Sequence, residues 1–425
     1  MANSDELLLR RQRVLGRNSP LFYETPLHLV RGEGAWVYDA DGRAYLDVYN
    51  NVPCVGHCNP RVVEAISRQA ATLNLHTRYL DENLVRYAEQ LTARFDAPLD
   101  AVTLTCSGTE ANELALRVAR AISGGYGIIV SDNSYHGNST ILAGLASSFP
   151  GGEAFPAFAR AVRVPDPAHD RQGRSDAELA AAFAAQVQDA VDSLAADGIR
   201  VAALLIDSFF ANEGLPDRVP GYVEQAVEIV RRAGGLYICD EVQSGFARTG
   251  DAMWGHQLTG VTPDIVTLGK PMGNGFPLAG LVTRREWIER FGQTSRYFNT
   301  FAGNPVAAAA GMAVLDEIDR LDLLRNSRET GAHVRAGLER LAQKHPLIAN
   351  VRGRGLFFGV EFIRADGTPA AEETTRVVNR MRENGVLLSR IGRRGNMLKM
   401  RPPLVFSSAD ADHLLSALDT VLGGL

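Results

Sequence analysis

A chain of 425 residues with 45% hydrophobic content is long enough to bury a large core in two or three packed units. Its net charge of −5 argues against nucleic acid as a partner, because phosphate binding needs a concentrated basic surface. No run approaches the roughly 18 apolar residues of a membrane span, and Leu7-Leu-Leu9 runs straight into Arg10-Arg-Gln-Arg13 with no small-residue cleavage site, so a soluble cytoplasmic protein without a membrane partner is expected.

Residues 1–60 open with a helix-like segment, followed by Gly34 to Gly42 and Ala44 to Val48, which read as a hairpin with an Asp-Gly turn. Between 61 and 305, helical stretches such as Asn83 to Phe95 and Pro220 to Ala233 alternate with short apolar runs. The runs are Val102 to Thr105, Gly127 to Ser131, Val201 to Ile206, Leu236 to Cys239 and Ile265 to Leu268. Continuously apolar runs separated by helices imply an α/β fold, a mostly parallel sheet covered on both faces. Pro165 to Ser175 is the most loop-like insertion. From 306 to 425, long helical patterns surround a few strands, including Leu356 to Phe362 and a short strand through Lys399, which suggests a smaller α/β domain.

Only three of the 44 basic residues are lysines. Arginine does not give up its proton or form an imine, whereas a desolvated lysine does both. Lys344 ends a helical pattern before a proline and suits the carbonyl end of the helix dipole. Lys399 shares a strand face with Arg401. Lys270 closes an apolar strand that runs into a glycine-rich loop, and is the candidate Schiff-base lysine.

Ligands of open parallel sheets gather beyond the carboxyl ends of the strands. The first run delivers Cys106-Ser-Gly-Thr-Glu-Ala-Asn-Glu113, where free amides of a helix start and the hydroxyls of Ser107 and Thr109 could cradle a phosphate. The same residues also read as an ordinary Ser cap with Glu three positions on. The second run delivers Ser134-Tyr-His-Gly137, in which Tyr135, beside His136, is either a stacking platform or a core residue. The fourth ends at Asp240, whose carboxylate requires a cationic partner in so apolar a strand. A phosphate cradle, an aromatic face, a carboxylate for a ring nitrogen and an imine-forming lysine together meet the needs of pyridoxal 5'-phosphate. The four cysteines, Cys54, Cys58, Cys106 and Cys239, form no disulfide framework, and the pair around His57 lacks a fourth ligand, so no metal is expected.

The motifs Ser107-Gly-Thr-Glu-Ala-Asn112, Tyr135-His-Gly137, Asp240-Glu-Val-Gln243, Thr267-Leu-Gly-Lys270 and Tyr297-Phe-Asn-Thr-Phe-Ala-Gly-Asn-Pro305 resemble the class III aminotransferases. The resemblance implies fold type I, a large domain with a mainly parallel seven-stranded sheet plus a smaller α/β domain, and a homodimer whose sites lie at the interface. It also implies roles: Lys270 forms the imine, Asp240 keeps the pyridine nitrogen protonated, Gly108 and Thr109 hold the phosphate, and Tyr135 stacks on the ring. Val242 packs on the opposite face, Gln243 meets the phenolic oxygen, and Thr300 reaches the phosphate of the neighbouring subunit. The implied reaction moves an amino group from a small amine with an anionic end to a keto acid, in ping-pong fashion.

Two positions depart from the family pattern. Lys399 stands where a carboxylate-clamping arginine is usual, with Arg401 next on the same face, and Asp207 stands where a Glu is usual. Val48 to Cys58, which includes Tyr49 on the substrate side, together with Lys270 to Gly275 and Lys399 to Pro403, is closest to a subgroup containing alanine-glyoxylate aminotransferase 2 and the phospho-lyases of phosphoethanolamine and phosphohydroxylysine. Two cations would suit a phosphate or phosphonate, so a lyase is the alternative reading.

Overall fold

The structure, a computed structural model, describes residues 4–147 and 153–425. At its centre is a seven-stranded sheet in the order Ala101–Thr105, Ala279–Thr283, Ile265–Leu268, Leu236–Asp240, Val201–Asp207, Gly127–Ser131 and Ala159–Val162. The last five are mutually parallel, while Ala279–Thr283 runs antiparallel to both its neighbours. Alternation of side chains across the pleat splits the core into two layers. Ile129, Leu204, Ile206 and Tyr237 face Leu179, Phe183 and Val187 of helix Asp176–Ala196 and Val223 and Val227 of helix Tyr222–Arg232. Ile128, Val130, Ala203, Leu205 and Ile238 face Leu114, Ala115 and Val118 of helix Gly108–Ser123. Burial on both faces is why these strands read as unbroken apolar runs.

Two strands are not legible as such runs. Ala159–Val162 carries Arg160, which reaches out of the sheet to Asp197. Ala279–Thr283 contains Gly280, where a Cβ would lie 2.8 Å from the backbone oxygen of Thr103, so the close strand approach demands glycine. The insertion Pro165 to Ser175 is also more ordered than its composition suggests. It holds a short helix, Pro167–Asp170, capped by Asp166.

A second sheet, antiparallel throughout, is built from Ile348–Arg354, Phe357–Phe362, Met397–Met400 and Ser389–Ile391. The early hairpin pairs Trp36–Asp39 with Ala44–Asp47 and is extended by Leu29–Glu33. Val386–Leu387 then joins it in parallel, so the first 60 residues are hydrogen-bonded into the C-terminal part of the chain.

The two main sheets are tied across their boundary by a buried ion network. Arg352, 2% exposed, donates to Asp166 Oδ2 at 2.7 Å and to Glu361 Oε2 at 2.5 Å, and Glu361 also meets His169 Nε2 at 2.9 Å. Arg352 and Glu361 come from the second sheet; Asp166 and His169 follow the edge strand of the first. Removing Arg352 strips the buried Glu361 of its guanidinium partner, which is costlier than removing both charges. Arg352→Met is therefore expected to lower unfolding free energy by roughly 3 kcal/mol, and Arg352→Met with Glu361→Gln to lose less than Arg352→Met alone, as read from urea denaturation. Equal losses in the two variants would show that the network does not act as a unit.

Candidate active site

Register alone brings the central groups together. In the parallel strands Asp207 lies opposite Asp240, and Asp240 opposite Thr267, so three strand ends stop at one level. Three residues beyond Thr267 the chain enters a single turn, Lys270–Gly273, with Lys270 at a φ of 29°, which few residues bearing a side chain adopt. The turn is pinned by Asn274, whose side chain accepts from Val55 N and donates to Gly56 O, both at 2.9 Å.

Asp240 is held from three sides. Its Oδ2 accepts from Asn112 Nδ2 at 3.0 Å and pairs with His136 Nδ1 at 2.7 Å, and its Oδ1 accepts from Val242 N at 3.0 Å. A carboxylate oxygen accepts two bonds, so Oδ1 keeps capacity for one more donor. Asn112 also donates to His136 O at 2.8 Å and accepts from Thr267 Oγ1 at 2.7 Å. One buried amide thus joins the phosphate-loop helix, the Tyr135 loop and the strands of Asp240 and Lys270. Asn112 and Thr267 lie inside recognisable motifs, but no spacing rule marks them as a connector; the signal is a polar side chain on a helix face that is otherwise apolar.

Lys270, Asp240, Gly108, Thr109, Tyr135, His136, Val242 and Gln243 line one cavity of about 120 Å³. Its walls are too close for added atoms. A Cβ on Gly108 would lie 3.1 Å from Val242 Cγ2, and one on Gly137 would lie 2.8 Å from Thr109 Oγ1. Ser107 serves as the helix cap: its Oγ accepts from Glu110 N at 3.2 Å, and Glu110 Oε2 accepts from Cys106 N at 2.6 Å. The cap and cradle readings are therefore compatible, because the cap leaves the first-turn amides of Gly108 and Thr109 at the cavity wall. Thr300 lies exposed on a separate loop, away from the cavity walls. These residues fit pyridoxal phosphate: helix-start amides for the phosphate, an oxygen with spare capacity for the protonated ring nitrogen, Val242 and Tyr135 for the ring, and a lysine at the cavity wall.

Burial, with the nearby Arg401 charge, lowers the Lys270 amine to about 8, against the smaller opposing pull of Asp240 and Asp207. Asp207 is pushed well above the ordinary carboxylate range by burial and by Asp240 and Glu213, and its Oδ1 accepts from Phe209 N at 2.7 Å. Glu213 does not stand in for the missing longer carboxylate. It accepts from Ser131 Oγ and, at 3.1 Å, from Asn212 N.

On the substrate side, Lys399 and Arg401 are both buried. Lys399 Nζ donates to Gln243 Oε1 at 2.9 Å, and Arg401 Nη1 donates to the same oxygen. Arg401 Nε also donates to Tyr49 O at 3.0 Å, with its guanidinium 4.8 Å from the Tyr49 ring centre. Among the described residues neither cation has a carboxylate within ion-pair distance. Burial, Arg401 and Lys270 push Lys399 well below the usual lysine range.

Behind Asp240, Cys239, Glu241 and His256 place three potential ligand atoms within 4.8 Å of one another. Glu241 is already satisfied by Gly255 N at 2.9 Å, His256 N at 2.6 Å and Ser244 Oγ at 2.8 Å, so the group locks the loop that follows the strand.

The class III aminotransferase family model matches residues 21–422. The chain belongs to that family. It is 49% identical to a phospholyase from Arthrobacter solved in complex with phosphoethanolamine, over 99% of this chain and 100% of that one, with a TM-score of 0.96. It is 38% identical to the Arabidopsis thaliana alanine–glyoxylate aminotransferase 2 homolog 2, over 98% of this chain and 87% of the relative. To the Caenorhabditis elegans ethanolamine-phosphate phospho-lyase homolog 1 it is 35% identical, over 99% of this chain and 94% of the relative. As a member of this family it is an enzyme dependent on pyridoxal phosphate.

An amine attacks a carbonyl only when unprotonated. A Lys270 depressed to about 8 is protonated below that pH and free above it, so capture of pyridoxal phosphate by the cofactor-free protein should speed up with pH and level off near 8. Stopped-flow absorbance measures this directly. A rate still climbing tenfold per unit above pH 9 would mean that the amine is solvated.

Proposed function

We propose that this enzyme is a lyase for small amines that carry a phosphate on the carbon next to the amine-bearing one. The observation that carries this reading is the cation pair. Lys399 and Arg401 are buried side by side against Gln243, with Lys270 close enough to repel Lys399 and, among the described residues, no carboxylate within ion-pair distance; Asp207 and Glu213 attract Lys399 only from farther off. A carboxylate would answer one of those charges. A phosphate monoester, with a charge of about −1.5 to −2 at neutral pH, answers both. At contact distance and an effective dielectric near 20, the second attraction is worth roughly 4 kcal/mol before desolvation, enough to favour the dianion.

When bound, pyridoxal phosphate supplies an electron sink for the pair left on a substrate carbon that loses its proton. Asp240 holds a proton at the ring nitrogen with its free Oδ1 capacity, while Asn112 and His136 occupy Oδ2. Gly108 and Thr109 amides bind the cofactor phosphate at the helix start. The amine of Lys270, depressed by dry cationic surroundings, takes the proton from the substrate carbon. Lys399 and Arg401 hold the phosphate and stabilise its added charge as the C–O bond breaks. Overall, water and the amino-phosphate give inorganic phosphate, ammonia and a carbonyl compound. The Arthrobacter phospholyase at 49% identity supports this reading. Transfer of the amino group to a keto acid is the second reading, supported by the alanine–glyoxylate aminotransferase 2 relative at 38%.

The site is completed, in this proposal, by a second copy of the chain. Tyr79, Leu80, Phe298 and Phe301 stand exposed on the loops around Thr300, Leu80 and Phe301 at 104% and 71%. An apolar patch of this kind next to a threonine without a place in its own cavity suits a homodimer with shared sites.

Incubation of the holoenzyme with 2-aminoethyl phosphate and no keto acid distinguishes the reactions. Continuous release of phosphate is expected; an arrest after one equivalent, with the amine form of the cofactor, would make the enzyme an aminotransferase. Lys399→Ala and Arg401→Ala should each raise KM for the amino-phosphate by about 10-fold to 100-fold, the range of about 1.5–3 kcal/mol for a hydrogen bond to a charged group, while retaining the cofactor. Unchanged KM in both would place the anion elsewhere.

A further inference from the structure

Gln243 stands between the cation pair and the cofactor cavity, and its orientation is dictated. Lysine and arginine carry donors only, so the atom that Lys399 Nζ approaches to 2.9 Å and that Arg401 Nη1 also reaches must be the carbonyl oxygen of the amide. The amide cannot flip without facing two N–H groups with a third. Its NH2 end is therefore turned away from the cations, and it donates to no described residue, although Gln243 is 6% exposed and lines the cavity with Lys270 and Asp240. The backbone behind it is also fixed, with Gln243 O accepting from the buried Asn51 at 3.5 Å.

The other walls of the cavity are taken. The helix start at Gly108 and Thr109 suits the phosphate, and Asp240 suits the ring nitrogen. The family resemblance implies that Gln243 meets the phenolic oxygen of pyridoxal phosphate, and its place on the cavity wall is compatible with that role. One amide thus has its acceptor end on the two cations and would turn its donor end to the bound cofactor.

We propose that Gln243 is a relay, which makes the protonation of the bound cofactor depend on whether an anion occupies Lys399 and Arg401. This rests on the reading of those two residues as the anion site. Two cations on Oε1 draw electron density through the amide and strengthen its N–H as a donor to the ring oxygen, favouring the deprotonated chromophore. An anion seated on the cations takes up their N–H groups, releases Oε1 and weakens the donor. The chromophore then holds its proton to higher pH, so arrival of the anionic end of a substrate readies the cofactor for exchange with the substrate amine. The other charged groups acting on this cluster are Lys270, Asp240, Asp207, Glu213, Asp47 and Arg248, with the Tyr49 ring against Arg401. They are present in every variant below and cancel in the comparison.

The test is a double-mutant cycle read as the pH midpoint of the visible absorbance of the holoenzyme, for wild type, Gln243→Leu, Lys399→Met and the two combined. With Gln243 present, Lys399→Met should raise the midpoint by about one pH unit, the size of a hydrogen bond strengthened by charge. With leucine at 243 it should raise it by less than half as much. Equal shifts in both backgrounds would mean that Lys399 acts through space and would overturn the relay. Gln243→Met, of similar length, gives the same cycle if the leucine variant loses cofactor. Inorganic phosphate adds a second arm. It should raise the wild-type midpoint, and should bind Gln243→Leu by calorimetry with little shift; a full shift in that variant also overturns the relay. Failure of phosphate to bind wild type would instead count against the anion site, while the mutant cycle still decides the relay.

Discussion

Everything at the site depends on a buried carboxylate that is filled on one oxygen and under-satisfied on the other. Asp240 ends a strand covered on both faces, where an unpaired charge costs several kcal/mol. Asn112 and His136 fill Oδ2, and Val242 N takes half of Oδ1. The remaining capacity opens only toward the cavity. A protonated ring nitrogen fits that opening, so a bound cofactor would be held by the same deficit that it relieves.

The same logic runs with opposite sign on the substrate side. Lys399, Arg401 and Lys270 are desolvated close together; Arg401 pushes both lysines away from their charged form, and Lys270 does the same to Lys399. Gln243 offers them one neutral oxygen, which satisfies hydrogen bonds without cancelling charge. Among the described residues the two cations are left without a carboxylate in contact, beside a lysine that must be uncharged to react. In the proposed reading, a substrate with a doubly anionic end supplies the partner that these cations lack. The departures from the usual family residues, Lys399 and Asp207, fall in this half and not around the cofactor.

Recognition of the parts was easier than recognition of their connections. The apolar runs ending at Ser131, Ile206, Cys239 and Leu268 were legible because burial on both faces forbids polar interruption. Ala159–Val162 and Ala279–Thr283 were not, since an edge strand tolerates Arg160 and an antiparallel neighbour pressed against Thr103 needs Gly280. Ser107 could be read as cap or cradle, and the structure uses its hydroxyl for the cap while the amides that follow line the cavity. Asn112 and Thr267 lay in plain view within motifs, but their partners are 128 and 155 positions away from Asn112 along the chain.

Chemistry carried by single residue types was determined by the sequence alone. A chain that uses arginine almost everywhere and lysine three times marks the lysine whose amine is needed, and carboxyl ends of apolar strands mark where ligands gather. Relations between residues distant in the chain were decided only by tertiary structure: the level at which Asp207, Asp240 and Thr267 align, the sharing of one amide oxygen by two cations, and the absence of any carboxylate beside them among the described residues. Such relations depend on strand register and on the packing of one sheet against another. Both are set by the summed burial of many side chains, and a local pattern does not contain that sum.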